Sequence, residues 1–233
     1  MKKFMLFRVI TGLLMLMLVI NLGMSGCSTE KPNISTLNTQ DSIELSVESG
    51  EYWQGKMKVF IFSIKKTPQL AAWIEDENEN YLSTITVTNR GGKNTWRSAP
   101  KEGRPEALPV WNSKVLNGSS GENIDAVSSA TSKENIEAQI AGDLLVNGNE
   151  YNLYLEINHS FDYNEFWTED NSGVNGQPSV IYHAKFIAGK PGKINLVPIG
   201  YGSVDGSSGK ITGALESLTT SLKIIKSAGL TIK

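Results

Sequence analysis

Residues 125–131 read Asp-Ala-Val-Ser-Ser-Ala-Thr, one carboxylate and then three hydroxyls on a run of small side chains. The small neighbours would leave the Thr131 hydroxyl reachable. Thr131 has a structural reading as well. Glu134 stands three residues on, and T-x-x-E is a capping box at a helix start. Both readings stay open. His159 and His183 are the only histidines, 24 positions apart, and Cys27 is the only cysteine, so no metal-ligand spacing is present. Trp96, Trp111, Phe166 and Trp167 fall in segments that read as loops. Loop aromatics stack on sugars, peptides or a flat cofactor ring, or they plug the ends of a β-sandwich core. No G-x-S-x-G nucleophile elbow exists. Gly200-Tyr201-Gly202 lacks the spacing of a dinucleotide loop. Asp205 to Gly209 fails as a calcium loop, because Lys210 occupies the position of the sharp-turn glycine.

These residues need a scaffold, and the chain supplies strands on either side of Arg104 to Lys133. That central stretch holds Pro105 and Pro109, Trp111 and a Gly-Ser cluster, the composition of a shaped connection. It is expected to be ordered but non-repetitive, anchored by Trp111, with its mobile tip at Asn117 to Glu122. Before it, Ile43, Leu45 and Val47 alternate with polar residues over 43–49. Lys56 to Ile64 reads as one central strand. Residues 70–75 and 81–88 flank Asp76-Glu77-Asn78-Glu79-Asn80 and predict a hairpin with a five-residue connection. After it, strands are expected at 151–158, 180–187 and 194–199. Ala214 to Ala228 spaces Leu215, Leu218, Leu222 and Ile225 as an amphipathic helix closed by Gly229. Thr219 and Thr220 disfavour that helix and leave a strand as the alternative. Seven short strands with turn signals between them predict an all-β, immunoglobulin-like antiparallel β-sandwich over 43–233, with that short C-terminal helix. Phe60, Ile61, Trp73, Ile85, Leu153, Leu155 and Ile181 are the expected core.

The N-terminus reads as an address rather than as fold. Lys2, Lys3 and Arg8 precede a short apolar run from Ile10 to Leu22, the pattern of a signal peptide. Leu22-Gly23-Met24-Ser25-Gly26-Cys27 resembles a bacterial lipobox, with Met24 where leucine is usual. It implies a mature N-terminus at Cys27 carrying a thioether lipid. A plain secretory signal with an incidental cysteine is the other reading. Residues 28–42 are polar and read as a flexible tether. The chain carries a formal charge of −2, and without the +3 of residues 1–27 the remainder stands at −5. An acidic body argues against a nucleic-acid partner. The expected location is extracytoplasmic, on the periplasmic or cell-surface face of a bacterial membrane.

Two resemblances bear on function. Asp125 to Thr131 is similar to the flavinylation signature of extracytoplasmic FMN-carrying domains, where a flavin transferase joins FMN to the final threonine through a phosphodiester. That implies Asp125, Ser128, Ser129 and Thr131 as the flavin site, with Thr131 the acceptor and Ser129 where that family has glycine. More widely, Trp73 to Asp76, Arg104 to Trp111, Asp125 to Thr131, Tyr151 to Phe166, Gly200 to Ser203 and Asp205-Gly206 occur in order. Together they resemble the predicted periplasmic proteins catalogued as domain of unknown function 2271. The resemblance implies a non-enzymatic accessory module of an extracytoplasmic redox system, with a flavin transferase and membrane redox proteins as partners. The alternative is a surface binding module for a protein, peptide or glycan, using the loops of Trp96, Trp111, Phe166 and Trp167.

Overall fold

The computed structural model describes residues 42–59, 62–93, 103–117, 128–129 and 135–233. Cys27, Phe60, Ile61, Trp96, Asp125, Thr131 and residues 118–122 lie outside the described residues.

The strands are β1 (Ile43–Ser49), β2 (Gly55–Val59), β3 (Phe62–Lys66), β4 (Gln69–Glu75), β5 (Tyr81–Thr88) and β6 (Ser128–Ser129). They continue with β7 (Ile136–Ile140), β8 (Glu150–Asn158), β9 (Val180–Ile187), β10 (Gly192–Asn195), β11 (Val197–Tyr201) and β12 (Ile225–Ile232). One sheet runs β10-β12-β1-β7, and a second runs β11-β9-β8-β4-β5-β6. Both are antiparallel except where the two residues of β6 pair parallel with β5. The fold is an all-β sandwich. β2 and β3 form a separate hairpin.

Alternation places the core. Ile43, Leu45 and Val47 of β1 meet Leu153, Leu155 and Ile157 of β8 and Val180, Tyr182, Ala184 and Phe186 of β9 in one buried cluster between the sheets. The other face of the six-stranded sheet is covered too. Ala71, Trp73, Val87 and Ile181 pack there against Leu108, Val110 and Trp111, which form a second cluster. β8 is therefore buried on both faces, with apolar residues inward and Asn152, Glu156 and Asn158 outward.

The β4–β5 hairpin turns over Asp76 to Asn80 as expected. Asp76 Oδ1 accepts from the backbone N–H groups of Asn78 (2.8 Å) and Asn80 (2.9 Å). Four expectations need correction. Residues 56–64 are not one central strand: the chain folds back on itself as β2 and β3, paired from Gly55↔Lys66 to Val59↔Phe62. Residues 194–199 are not one strand either. The chain changes sheets at buried Leu196, so β10 joins β12 and β11 joins β9. The C-terminal helix does not form. A 3-10 turn at Ser221–Lys223 leads into β12, which lies between β1 and β10. Pairing on both edges and burial of Ala228, Leu230 and Ile232 outweigh the helical spacing. Finally, Pro109–Asn117 is helical rather than non-repetitive, with Pro109 at the first helical position, where its missing N–H is harmless.

Trp73, Leu153, Leu155 and Ile181 are fully buried, whereas Ile85 is only half-buried. Among the described residues its strand has only the two-residue β6 beyond it.

Candidate functional site

Two polar sites are built on β8, one on the outer sheet face and one at its C-terminal end. On the outer face Glu156 is fully buried beneath the helix Pro109–Asn117. Its carboxylate accepts from the backbone N–H of Trp111 (2.8 Å) and Val110 (3.3 Å) and from Ser179 Oγ (2.6 Å). The first turn of a helix has N–H groups with no partner inside the helix, and here a strand residue supplies the acceptor. Burial nevertheless pushes Glu156 up to about 7, outweighing these bonds. Four residues further along β4 from Ala71, the residue paired with Glu156, Glu75 is also buried, accepts from Trp73 Nε1 (2.7 Å) and pairs with Lys114 (2.9 Å). Trp111 Nε1 donates to Thr84 Oγ1 at 3.0 Å.

Residues Trp73, Glu75, Glu106, Pro109, Glu156, Gly202 and Gly206 come together on this face. Trp73 and Glu75 lie under the helix that follows Arg104. Gly202 donates its N–H to Ser179 O (3.0 Å), beside Pro109 and Glu156. Gly206 sits against the backbone of Glu106. The arrangement holds the layer together and leaves Glu156 without solvent exposure.

The open site lies where β8 ends. A pocket of about 390 Å³ is lined by Glu51, Tyr52, Gln54, Gly55, Lys66, His159, Phe161 and Asp162. That volume is in the range of small-ligand sites. His159 is buried, with Nε2 at 3.1 Å from Tyr52 O and 3.0 Å from Trp53 O. Carbonyls only accept, so Nε2 carries the hydrogen and Nδ1 is a bare acceptor. Nδ1 is buried and has no hydrogen-bond partner. Burial, aided by the charge of Lys66, lowers His159 to about 4 against its backbone bonds, so the ring is neutral at neutral pH.

Lys66 Nζ is buried without a hydrogen-bond partner, 5.0 Å from the centre of the Phe161 ring. Burial lowers it to about 8, opposed by Asp162 and reinforced by Arg104. Arg104 is aimed here by Glu106 (2.7 Å) and Ser160 (2.9 Å). Burial raises Asp162, against hydrogen bonds from Thr220 and the charge of Lys66. Its carboxylate is bonded from behind the pocket by Thr220 Oγ1 (2.7 and 2.8 Å to its two oxygens) and Gln177 Nε2 (3.0 Å).

The loop is held in an uncommon conformation. Phe161 has φ 59°, the left-handed region that a bulky residue enters only under constraint. Its N–H donates to Val174 O (2.9 Å), and Gln177 N–H donates to Asp162 O (2.8 Å). Gly176 permits this crossing, since a Cβ there would stand 2.6 Å from the Asp162 backbone.

Of the aromatics expected to bind, Trp111, Phe166 and Trp167 are not among the described residues that line this pocket. Trp111 belongs to the outer cluster. Trp167 is half-buried against the main core, edge-on to Tyr201 with ring centres 5.7 Å apart, and donates Nε1 to Ser217 Oγ (3.2 Å). Trp111 thus fills the layer under the helix and Trp167 packs against the core between the sheets. Phe166 is exposed. Of the flavin-site candidates, Ser128 and Ser129 form β6 beside Val87 and Thr88. His183 lies tilted by 34° against the Tyr154 ring, centres 4.7 Å apart, and shares a 2.9 Å hydrogen bond with Asn152 Oδ1, as a structural histidine would. Tyr52 and Phe161, the aromatics that do line the pocket, carry no sequence motif.

Among the described residues no group of His, Cys, Asp and Glu is placed to hold a metal ion, and no helix is long and apolar enough to cross a membrane. No family model, curated protein or solved structure matches the chain.

Proposed function

We propose that this chain is a lipid-anchored extracytoplasmic binding module, a non-catalytic β-sandwich that captures a small ligand in the pocket at the end of β8. The observation that carries the reading is an open volume of about 390 Å³ walled by charged groups and by the rings of Tyr52 and Phe161. Lys66 Nζ and His159 Nδ1 are buried beside an open volume and neither has a hydrogen-bond partner. The flavin-linked accessory role rests on Asp125 to Thr131 and on the family resemblance; the binding role has a cavity behind it.

Titration of the isotope-labelled full chain in detergent with a fragment library tests the binding role. Hits should perturb the amide signals of Gly55, His159 and Phe161 together. A library screen in which no compound moves those signals ends the reading. The anchor is tested separately. Changing Cys27 to Ser should release the protein from the membrane fraction and remove the lipid mass, because the membrane hold rests on acyl chains. Unchanged fractionation and mass would rule the anchor out.

A further inference from the structure

We propose that Lys66 and Asp162 join in an intramolecular amide, Nζ to Cγ, which cross-links the β2–β3 hairpin to the loop that follows β8. The bond does not depend on the pocket's taking a ligand.

The two residues come from distant parts of the chain and wall the same pocket. Nζ of Lys66 is buried and has no hydrogen-bond partner. It lies 5.0 Å from the ring centre of Phe161, the residue before Asp162. Lys66 and Asp162 each feel the other's charge without a direct ion pair. A turn of the flexible lysine stem closes the remaining gap.

In water an amine and a carboxylic acid stay ions and do not condense. Burial removes that preference, because charge is costly away from water. Here burial pulls Lys66 down to about 8 and raises Asp162. Both shifts lead toward the neutral amine and the neutral acid, the pair that condenses. The lone pair of Nζ attacks Cγ. Thr220 Oγ1 (2.7 and 2.8 Å) and Gln177 Nε2 (3.0 Å) already donate to the carboxyl oxygens, and they hold the charge that develops there in the tetrahedral intermediate. Nδ1 of His159 carries no hydrogen and has no partner, so it accepts the proton that the nitrogen gives up and returns it to the departing oxygen. A C–N bond replaces a C–O bond and one water leaves by the pocket. No oxidant or cofactor is needed. The seclusion of Nζ and Nδ1 suits this step, since it keeps outside reagents from the amine. Two buried charges become one neutral amide, and closure takes both groups out of the pH balance of the fold.

The cross-link has a mechanical use. Among the described residues the β2–β3 hairpin pairs with neither sheet, and Lys66 is its last residue. Cys27 is the only cysteine, so no disulfide within the chain can fasten it.

Tryptic digestion of the full chain, purified in detergent and kept folded at about pH 8, tests the bond. Trypsin cannot cut after a lysine whose side chain is an amide. The parent should therefore yield residues 66–90 joined to residues 134–185, lighter than the two peptides by one water. Lys66→Arg and Asp162→Ala should each release separate peptides at full mass, with circular dichroism confirming that both fold. If a variant fails to fold, the parent's joined peptide decides alone. Recovery of the parent's two segments separately at full mass overturns the proposal. Loss of water within residues 134–185 alone, as from cyclisation of Asp162 onto its own backbone, overturns it too. The readout is the same whether or not fragments bind, so the cross-link and the binding role stand or fall separately.

Discussion

Replacing Glu156 by Gln makes the protein lose about 2 kcal/mol of stability between about pH 7.5 and about pH 5, a loss the parent chain largely escapes. The reason is a pair of buried groups with opposite shifts. Glu156 is raised from 4.5 to about 7, chiefly by burial. The folded chain binds a proton there that the unfolded chain gives up above its ordinary value. Its contribution is therefore full below 4.5 and is lost as pH rises through about 7. His159 is lowered from 6.5 to about 4, again chiefly by burial. The folded chain refuses a proton that the unfolded chain accepts, so this contribution is present above 6.5 and is lost as pH falls toward 4. Across the window the two nearly cancel, each worth about 2 kcal/mol. Lys66 titrates above the window. Asp162 is raised too and acts in the same sense as Glu156, and His183, lowered chiefly by burial, acts in the same sense as His159. His159→Asn should therefore do the reverse of Glu156→Gln and gain stability on acidification. Denaturant unfolding at the two pH values measures both. Parallel stability–pH curves for the parent and Glu156→Gln would refute the assignment, whatever fixed cost the amide carries.

Trp111→Ala should destabilise the chain by about 3–5 kcal/mol, the cost of emptying a large buried aromatic site. Trp111 is 2 % exposed and belongs to the cluster with Ala71, Trp73, Val87 and Ile181. It also supplies the closer of the two backbone N–H groups on Glu156, and its indole bonds Thr84. Trp111→Phe keeps most of the packing and loses the indole bond, so it should cost about 1 kcal/mol beyond the volume change. Urea midpoints for the two variants provide the comparison. A Trp111→Ala loss below about 1 kcal/mol would mean that the helix is not anchored there. In that variant the pH effect of Glu156→Gln should also shrink, because the carboxylate loses the layer that buries it.

Much of the sandwich was legible because period two is a local signal. Ile43, Leu45 and Val47 face one way whatever they pack against, and Asp76 to Asn80 turn because an aspartate bonds its own backbone. β5 and β9 fall where the alternation places them, at Tyr81–Thr88 and Val180–Ile187. Trp111 was legible as an anchor, since its flanking prolines and apolar neighbours signal an ordered connection.

The tertiary structure decided the rest. Leu215, Leu218, Leu222 and Ile225 carry a helical spacing, yet the end of that segment became β12 because β1 and β10 offer hydrogen bonds on both edges. Leu196 looks like the middle of a strand and proves to be the step between sheets. The pocket could not be read at all. Its walls come from residues 51–55, Lys66 and 159–162, brought together only by the folding back of β2–β3 and the end of β8. The tautomer of His159, and with it the proton acceptor inferred beside Lys66, depends on two carbonyls more than a hundred positions away. No local pattern encodes such a contact, because burial and hydrogen-bond pairing belong to the assembled chain.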